Sequence, residues 1–208
     1  MARIAGRSVA ETRARILRAA AELVSEGPSR EVRVLDVAER AHVGTPTIYY
    51  HFSSREVLLA EAQVENFFRL LGDRSGHIEV LTDAIERRDR EAFVAGYRQY
   101  LTEISAPETT ERMWQLTRVL LDISADPVAR ARFVVAHDAS LQQRIDIFSR
   151  AQERGWVDAS INATAYVLES GALILGRIML DGTAHQVSPE DLADYLWSRI
   201  APPTPGAP

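Results

Sequence analysis

The sequence predicts an all-helical protein built from two parts, and three observations support this fold class. Apolar residues recur at intervals of three and four along most of the chain, as they do on one face of a helix. Cap residues stand directly before proline at Thr45-Pro46, Asp126-Pro127 and Ser188-Pro189, a pattern typical of helix starts. Alternating apolar and polar stretches, which would indicate strands, are almost absent after Gly72. About nine helices are expected.

Composition narrows the class of protein. With 46% hydrophobic and 25% charged residues in 208, the chain is an ordinary globular protein that can bury a substantial core. It has no cysteine, which excludes disulfides, a thiol nucleophile and thiolate metal sites and suits a reducing compartment. Its best apolar run, Gly171 to Gly176, is far too short to span a membrane. We therefore expect a cytoplasmic protein that does not bind membranes, and the scattered histidines predict neither a metal site nor a cofactor.

The charge of the chain is divided unevenly. The net charge is −5, yet residues 1 to 60 hold 9 arginines and 7 acidic residues, which gives +2, and the remainder carries −7. Every basic side chain apart from histidine is arginine, a residue suited to forked contacts with phosphate. The first part therefore has the charge expected of a surface that meets a polyanion.

The first two helices follow from local signals. Ser8-x-x-Glu11 is a capping-box pattern that opens the first helix, and Gly27 follows its end. A second helix of about two turns has one apolar face, which consists of Val34, Val37, Ala38 and Ala41. The connection that follows, residues 42 to 44, is short and contains Gly44, for which a positive φ is easiest. If His42 takes the left-handed conformation instead, the steric cost is modest. The arrangement is a helix-turn-helix.

The third helix is short and has two different faces. Thr45 is expected as its N-cap and Pro46 as its first residue. Ile48 and Phe52 are four residues apart and should be buried, which leaves Tyr49 and Tyr50 on the outside. Taken alone, the tyrosines could equally cap a small core with their hydroxyls in water. Ser53-x-x-Glu56 then predicts the start of a long fourth helix.

Three segments together resemble the N-terminal domain of the TetR family of bacterial transcriptional regulators. They are Arg15 to Leu23, Asp36 to Val43 and the stretch from Thr47 to Leu59 that contains Thr-Ile-Tyr-Tyr-His-Phe. The resemblance covers about residues 12 to 60. It implies an all-helical homodimer in which each subunit places a recognition helix in the major groove of a palindromic operator. It also implies a larger C-terminal domain that binds a small ligand and forms the dimer.

The same resemblance assigns DNA-binding residues. Those expected on the groove surface are Thr45, Pro46, Thr47 and Tyr50, and those expected at phosphates are Tyr49, His51 and Arg55. Arg, Asn and Gln distinguish bases most specifically, because they form paired hydrogen bonds with base edges. The third helix contains none of these residues. We therefore expect specificity to depend on DNA shape, on methyl contacts and on Arg33 or the N-terminal arginines.

The chain departs from the family pattern at three positions. His42 replaces the usual glycine of the turn, Gly44 replaces the usual serine, and Arg33 replaces the threonine or serine that commonly caps the second helix. Loss of a side-chain cap would cost about 1 kcal/mol. Arg33 can be interpreted either as a DNA contact or as a solvated surface charge.

The second part continues as helices. Asp89, Asp126 and Ser188 are the expected caps of three of them, and a helix from Ser160 to about Leu180 precedes the last one. The sequence thus divides into a helix-turn-helix domain at 1 to 60, a ligand-binding and dimerisation domain at 61 to 200 and a disordered tail at 201 to 208.

The last two helices resemble the dimerisation pair of the family. Small residues would allow another helix to approach, and leucines and a methionine would supply apolar area. The alternative is that these residues pack only in their own core. The predicted interface consists of Leu168, Gly171, Ala172, Leu175, Gly176, Met179, Leu192 and Leu196.

A ligand site is expected among the middle helices, where aromatic and polar residues recur. For each residue a core or surface position is the simpler interpretation, because aromatic residues at helical spacing are mostly core. As a set they fit a largely apolar pocket. The candidates are Phe93, Tyr97, Tyr100, Met113, Trp114, Arg118, Phe133 and His137.

These observations favour a DNA-binding transcriptional regulator. We expect it to be a repressor that a small molecule releases from its operator. A regulator without a ligand, or an activator, is the first alternative. A helical enzyme with an interaction module is a remote one, because no Gly-rich phosphate loop, metal-ligand spacing or Ser-His-acid set can be placed.

Overall fold

The structure is a computed structural model that describes residues 2–72, 75–106, 108–180, 183–184 and 187–203. Side chains are described in these ranges except for residues 2–8, 75, 108–110, 178 and 179. The described ranges contain ten α-helices and no strand, so the all-helical fold class is confirmed. The helices are α1 (Ala2–Glu26), α2 (Val34–Arg40), α3 (Thr45–His51), α4 (Arg55–Leu71), α5 (Ser75–Arg87), α6 (Arg90–Ile104), α7 (Glu108–Ala125), α8 (Pro127–Glu153), α9 (Ala163–Gly176) and α10 (Pro189–Ser198).

The helix ends show where local signals succeeded. Asp89 accepts a hydrogen bond from the backbone N–H of Ala92, and Ser188 accepts one from that of Asp191, so both caps are confirmed. Asp126 likewise accepts from the N–H of Val128 at 2.8 Å. Each of these residues satisfies an amide that has no partner inside its helix.

Four predicted helix ends are wrong by one or more residues. Helix α1 begins at Ala2 and not at Ser8, and α9 begins at Ala163 after an Asn162 cap. The N-cap of α3 is Gly44, which makes Thr45 the first helical residue. The cap of α4 is Ser54 and not Ser53, because the Ser54 hydroxyl accepts from the N–H of Val57.

The contacts of the chain define two compact units. The first consists of Met1–Gly72 and Gln115–His137, and the second of Asp73–Trp114 and Asp138–Pro208. The domain boundary inferred near residue 60 concerns function and stays a prediction. Of the predicted tail, residues 204 to 208 lie outside the described ranges.

The first unit is built on α1 and α4, which pack along each other and hold α2 and α3 at one end. Ile16, Ile48 and Leu58 are almost completely buried in its core, with Phe52 beside them. The guanidinium of Arg13 lies 4.7 Å from the centre of the Phe52 ring and also pairs with Glu61. Arg13 of α1 thereby connects the residue that follows α3 with helix α4.

The second unit has an aromatic core between α5, α6, α9 and α10. Phe93 is fully buried, with its ring centre 5.6 Å from that of Trp156. Gly96 allows α5 to come close, because a Cβ at this position would lie 2.9 Å from Cγ1 of Val80. The Tyr97 and Tyr166 hydroxyls are 2.6 Å apart, and burial raises the pKa of both phenols, that of Tyr166 to about 12.

None of the described helices has the length and apolar character that a membrane span requires.

Candidate nucleic-acid interface

The turn between α2 and α3 is a Schellman motif with histidine in the position that glycine usually takes. The N–H of Val43 donates to the carbonyl of Ala38, and the N–H of His42 donates to that of Glu39. His42 has a φ of 51°, whereas Gly44, where a positive φ would be easiest, has a φ of −77°. The turn therefore keeps the usual geometry of a helix-turn-helix although its glycine has moved to position 44.

Helix α3 separates a buried face from an exposed one. Ile48 is 1% exposed and Phe52, directly after the helix, is 2% exposed, whereas Tyr49 is 50% and Tyr50 75% exposed. Thr45 and Thr47 are partly exposed, Pro46 is exposed and His51 is partly buried, with its ring edge-on to that of Tyr50 at 5.1 Å. All groove and phosphate candidates of this helix can thus be reached from solvent. The exposed face presents phenol and threonine hydroxyls, which can donate to phosphate oxygens or base edges.

Arg33 is already paired in the free protein. Its Nε and Nη2 donate to the two carboxylate oxygens of Asp36 at 3.0 and 2.8 Å, and its backbone N–H donates to the same carboxylate. The neighbouring carboxylate raises the pKa of Arg33, and the guanidinium lowers that of Asp36. Asp36 thus holds the start of α2 through the N–H of Arg33, although the side chain of Arg33 itself makes no cap hydrogen bond. A DNA phosphate would have to compete with this carboxylate for Arg33.

Arg55 has a structural role that the sequence did not indicate. Its Nη2 donates to the carbonyls of Val32 and Arg30 at 2.8 Å, and its Nε donates to that of Val32 at 3.1 Å. Gln63, one of the few buried polar residues described, donates to the hydroxyl of Ser29 at 2.6 Å. Helix α4 thus holds the connection between α1 and α2 at two points. The phosphate contact assigned to Arg55 stays a prediction. Among the described residues, Nη1 of Arg55 has no hydrogen-bond acceptor.

The ligand candidates do not all lie in one unit. Phe93 and Tyr97 are core residues of the second unit, with Tyr100 packed against them; Met113 is buried and Trp114 is 43% exposed. Phe133 and His137 belong to the first unit, where their rings stack 5.1 Å apart. Packing of aromatic residues at helical spacing accounts for most of this set.

Arg118 lines a polar cleft of about 580 Å³ within the first unit. Arg30 and Arg69 line the same cleft, together with Glu26, whose carboxylate is held by Arg40. The cleft lies at the end of α1 beside α4 and α7, on the elements that support the helix-turn-helix.

The proposed dimer residues separate into exposed and buried groups. Leu168 is 50% exposed, and a Cβ built on Gly171 or Gly176 would meet nothing within 4 Å. By contrast, Leu192 and Leu196 are 7% and 3% exposed and belong to the core of their own unit, so they offer little surface to a partner. We therefore remove these two from the proposed interface. The side chain of Met179 lies outside the described residues.

Comparison with known proteins adds independent information. The sequence pattern of the bacterial regulatory proteins of the tetR family matches residues 16–62. The comparison with curated proteins gives no match.

Solved structures share the fold over nearly the whole chain. A structure described as a TetR-family transcriptional regulator from Mesorhizobium loti has a TM-score of 0.65 at 14% identity and covers 93% of this chain and 98% of its own. One from Rhodococcus sp. has a TM-score of 0.63 at 24% identity, with 91% and 96% covered. The complex of SmeT with triclosan has a TM-score of 0.61 at 19% identity, with 95% and 98% covered.

At these identities the structural likeness shows the fold, whereas the family pattern matches the segment that holds α2, the turn and α3. The resemblance inferred from the sequence is confirmed over residues 16–62, which match the pattern of the bacterial regulatory proteins of the tetR family, and the chain shares the fold of solved structures described as TetR-family regulators.

Proposed function

We propose that the protein is a homodimeric repressor that binds a palindromic operator and leaves it when a small molecule binds. The observation that carries the proposal is the exposed face of α3, where Tyr49 and Tyr50 are exposed while Ile48 and Phe52 fix the helix from below. Large aromatic side chains exposed on a short, well-anchored helix suit contact with bases and phosphates. The positive balance of residues 1 to 60 supports the same surface.

The dimer is supported by α9. Leu168 and Ala172 are exposed and four residues apart, so they lie on one face, and Gly176 continues it one turn later. The open space beside Gly171 and Gly176 shows that packing within the described chain does not require a glycine there. Close approach of the same helix from a second subunit would explain both glycines and the exposed leucine.

Release by a ligand is supported by the fold and by one neighbour. SmeT, which shares this fold at 19% identity, was solved in complex with triclosan. By analogy, a small molecule would favour a state in which the helix-turn-helix domains of the two subunits no longer fit successive major grooves of the operator. The size of the response is limited by the difference in affinity of the ligand for the two states.

The test is selection of bound sequences from random duplex DNA by the full-length protein. We expect an enriched site with two inverted halves about one helical turn apart, bound by two chains as measured by sedimentation. A compound that raises the melting temperature should then weaken binding to that site. An enriched site without inverted halves would contradict the dimeric arrangement. Stabilising compounds that leave operator affinity unchanged would favour the ligand-independent regulator, and tighter binding would favour an activator.

Arg55→Ala tests the two roles of that side chain. Because hydrogen bonds from its guanidinium to three carbonyls are lost, we expect the free energy of unfolding to fall by about 2 to 3 kcal/mol. If Arg55 also contacts a phosphate, the slope of log affinity against log salt should fall by about one unit per subunit. Arg30→Ala, in the same segment but highly exposed, is the matched control and should leave stability within about 0.5 kcal/mol. A lower stability with an unchanged slope would limit Arg55 to its structural role.

A further inference from the structure

A partly buried arginine of the second unit has no acidic partner in the described part of the chain. Arg177 directly follows α9, and its Nη1 donates a 2.6 Å hydrogen bond to the backbone carbonyl of Ser105 at the end of α6. Three other arginines of this unit, Arg98, Arg150 and Arg199, each lie within 4.0 Å of a carboxylate. Arg177 differs from these three because no described carboxylate neutralises its partly buried charge.

The pKa of Arg177 is consistent with this environment. A carboxylate next to an arginine raises its pKa, as Asp36 does for Arg33. Burial instead lowers the pKa of Arg177, because desolvation disfavours the charged guanidinium, and no described carboxylate opposes the effect. An added negative charge would reverse the direction.

The residue that receives the hydrogen bond has an unsatisfied group of its own. Ser105 is 1% exposed, and its Oγ has no hydrogen-bond partner among the described residues. Its backbone N–H is satisfied by the carbonyls of Leu101 and Thr102, so the hydroxyl is not needed to end the helix. Buried hydroxyls are nearly always paired, so a water or a ligand is expected to supply the missing partner of this one.

We propose that Arg177 and Ser105 form the anion-binding end of the effector site and that the effector carries a carboxylate. This inference rests on the ligand-responsive function proposed above. A guanidinium with one N–H on a carbonyl retains four others, enough for a forked pair of bonds to one carboxylate, and the Ser105 hydroxyl can donate to the same anion. An uncharged ligand would leave the hydroxyl and the guanidinium unpaired, so the site discriminates against it.

The test follows the side-chain Nε–H signal of Arg177 by NMR in the full-length protein, with sodium acetate as the probe at constant ionic strength. We expect the signal to shift to saturation with acetate and not with acetamide, its neutral analogue. Arg177→Gln, which lacks this signal and is followed through the backbone amide of Ser105, should abolish acetate binding, and Ser105→Ala should weaken it about tenfold. Arg87→Gln, an exposed arginine paired with Asp83 on α5, is the matched control and should leave the affinity unchanged.

Ser105→Ala also separates a ligand role from a structural one. Because the hydroxyl has no partner among the described residues, its removal should leave the melting temperature unchanged or raise it, while acetate affinity falls. A lower melting temperature with unchanged acetate affinity would assign the hydroxyl to folding and overturn the inference.

The remaining outcomes distinguish this inference from the proposed function. Equal shifts with acetate and acetamide, or acetate binding that survives Arg177→Gln, would overturn the anion site while leaving release by another ligand in place. Tighter binding of inorganic phosphate than of acetate would overturn the carboxylate assignment. A further outcome is that acetate binding changes in the variants as expected while no carboxylate compound that binds the protein weakens its binding to the operator. This pair of results would support the anion site and contradict release by a ligand.

Discussion

Tyr50→Ala is expected to lower operator affinity by about 100-fold. The side chain is 75% exposed on α3, and a dimer presents it twice, so a loss of about 1 to 1.5 kcal/mol in each half-site is sufficient. Since Tyr50 makes little contact with the core, the free energy of unfolding should change by no more than about 0.5 kcal/mol. Fluorescence anisotropy on the selected operator and on a scrambled duplex measures the effect, which should be much smaller on the scrambled DNA.

Tyr50→Phe is the matched variant for this experiment. If the ring contacts a thymine methyl, phenylalanine should restore most of the affinity, whereas a contact through the hydroxyl should leave it weak. Unchanged operator affinity for Tyr50→Ala would contradict the assignment of α3 as the recognition helix.

Phe93→Ala should give the largest loss of stability in the second unit. Its ring is fully buried against Trp156, on a helix that Gly96 brings close to α5, so truncation leaves a cavity that neighbouring helices cannot fill. We expect the free energy of unfolding to fall by about 3 to 5 kcal/mol. Urea unfolding followed by circular dichroism measures this change.

Tyr195→Ala provides the control for Phe93→Ala. It also removes an aromatic ring from a helix of the same unit, but the ring is 52% exposed, so the loss should stay within about 0.5 kcal/mol. Equal losses for the two variants would show that burial in this core does not determine the stability of the protein.

Local sequence signals were sufficient for most of the fold. The four-residue spacing of Ile48 and Phe52 correctly separated them from Tyr49 and Tyr50, because a helix places residues four apart on one face. Asp126 was identified as a cap because a proline follows it. Such features depend on neighbours in sequence and can be read without tertiary contacts.

Adjacent candidates and long-range contacts were not predictable in this way. Ser53 and Ser54 offer the same hydroxyl, and only the path of the backbone selects the second. The hydrogen bonds of Arg55 reach carbonyls more than twenty residues away, for which the sequence has no local pattern.

Some residues of the candidate sites could be predicted from local spacing, and others could not because their contacts lie far apart in the sequence. The Arg33–Asp36 pair follows helical spacing and could have been found, since residues three apart are neighbours on a helix. For α10, an apolar stripe shows that one face is covered but not by which chain, and Leu192 and Leu196 proved to be covered by their own unit. The ligand candidates scattered because buried aromatic residues look alike in sequence whether or not they border a pocket.

The two anchors of α4 have a consequence for how a signal can reach DNA. Arg55 and Gln63 are about two helical turns apart, and both bind the segment between α1 and α2. A helix fixed at two points can neither slide nor rotate on that segment without breaking both attachments. A displacement of α4 should therefore carry the whole helix-turn-helix with it as a rigid body. Under the proposed function, a ligand would then adjust the distance between the two intact helix-turn-helix domains of a dimer. Each domain should bind an isolated half-site equally well with or without the ligand.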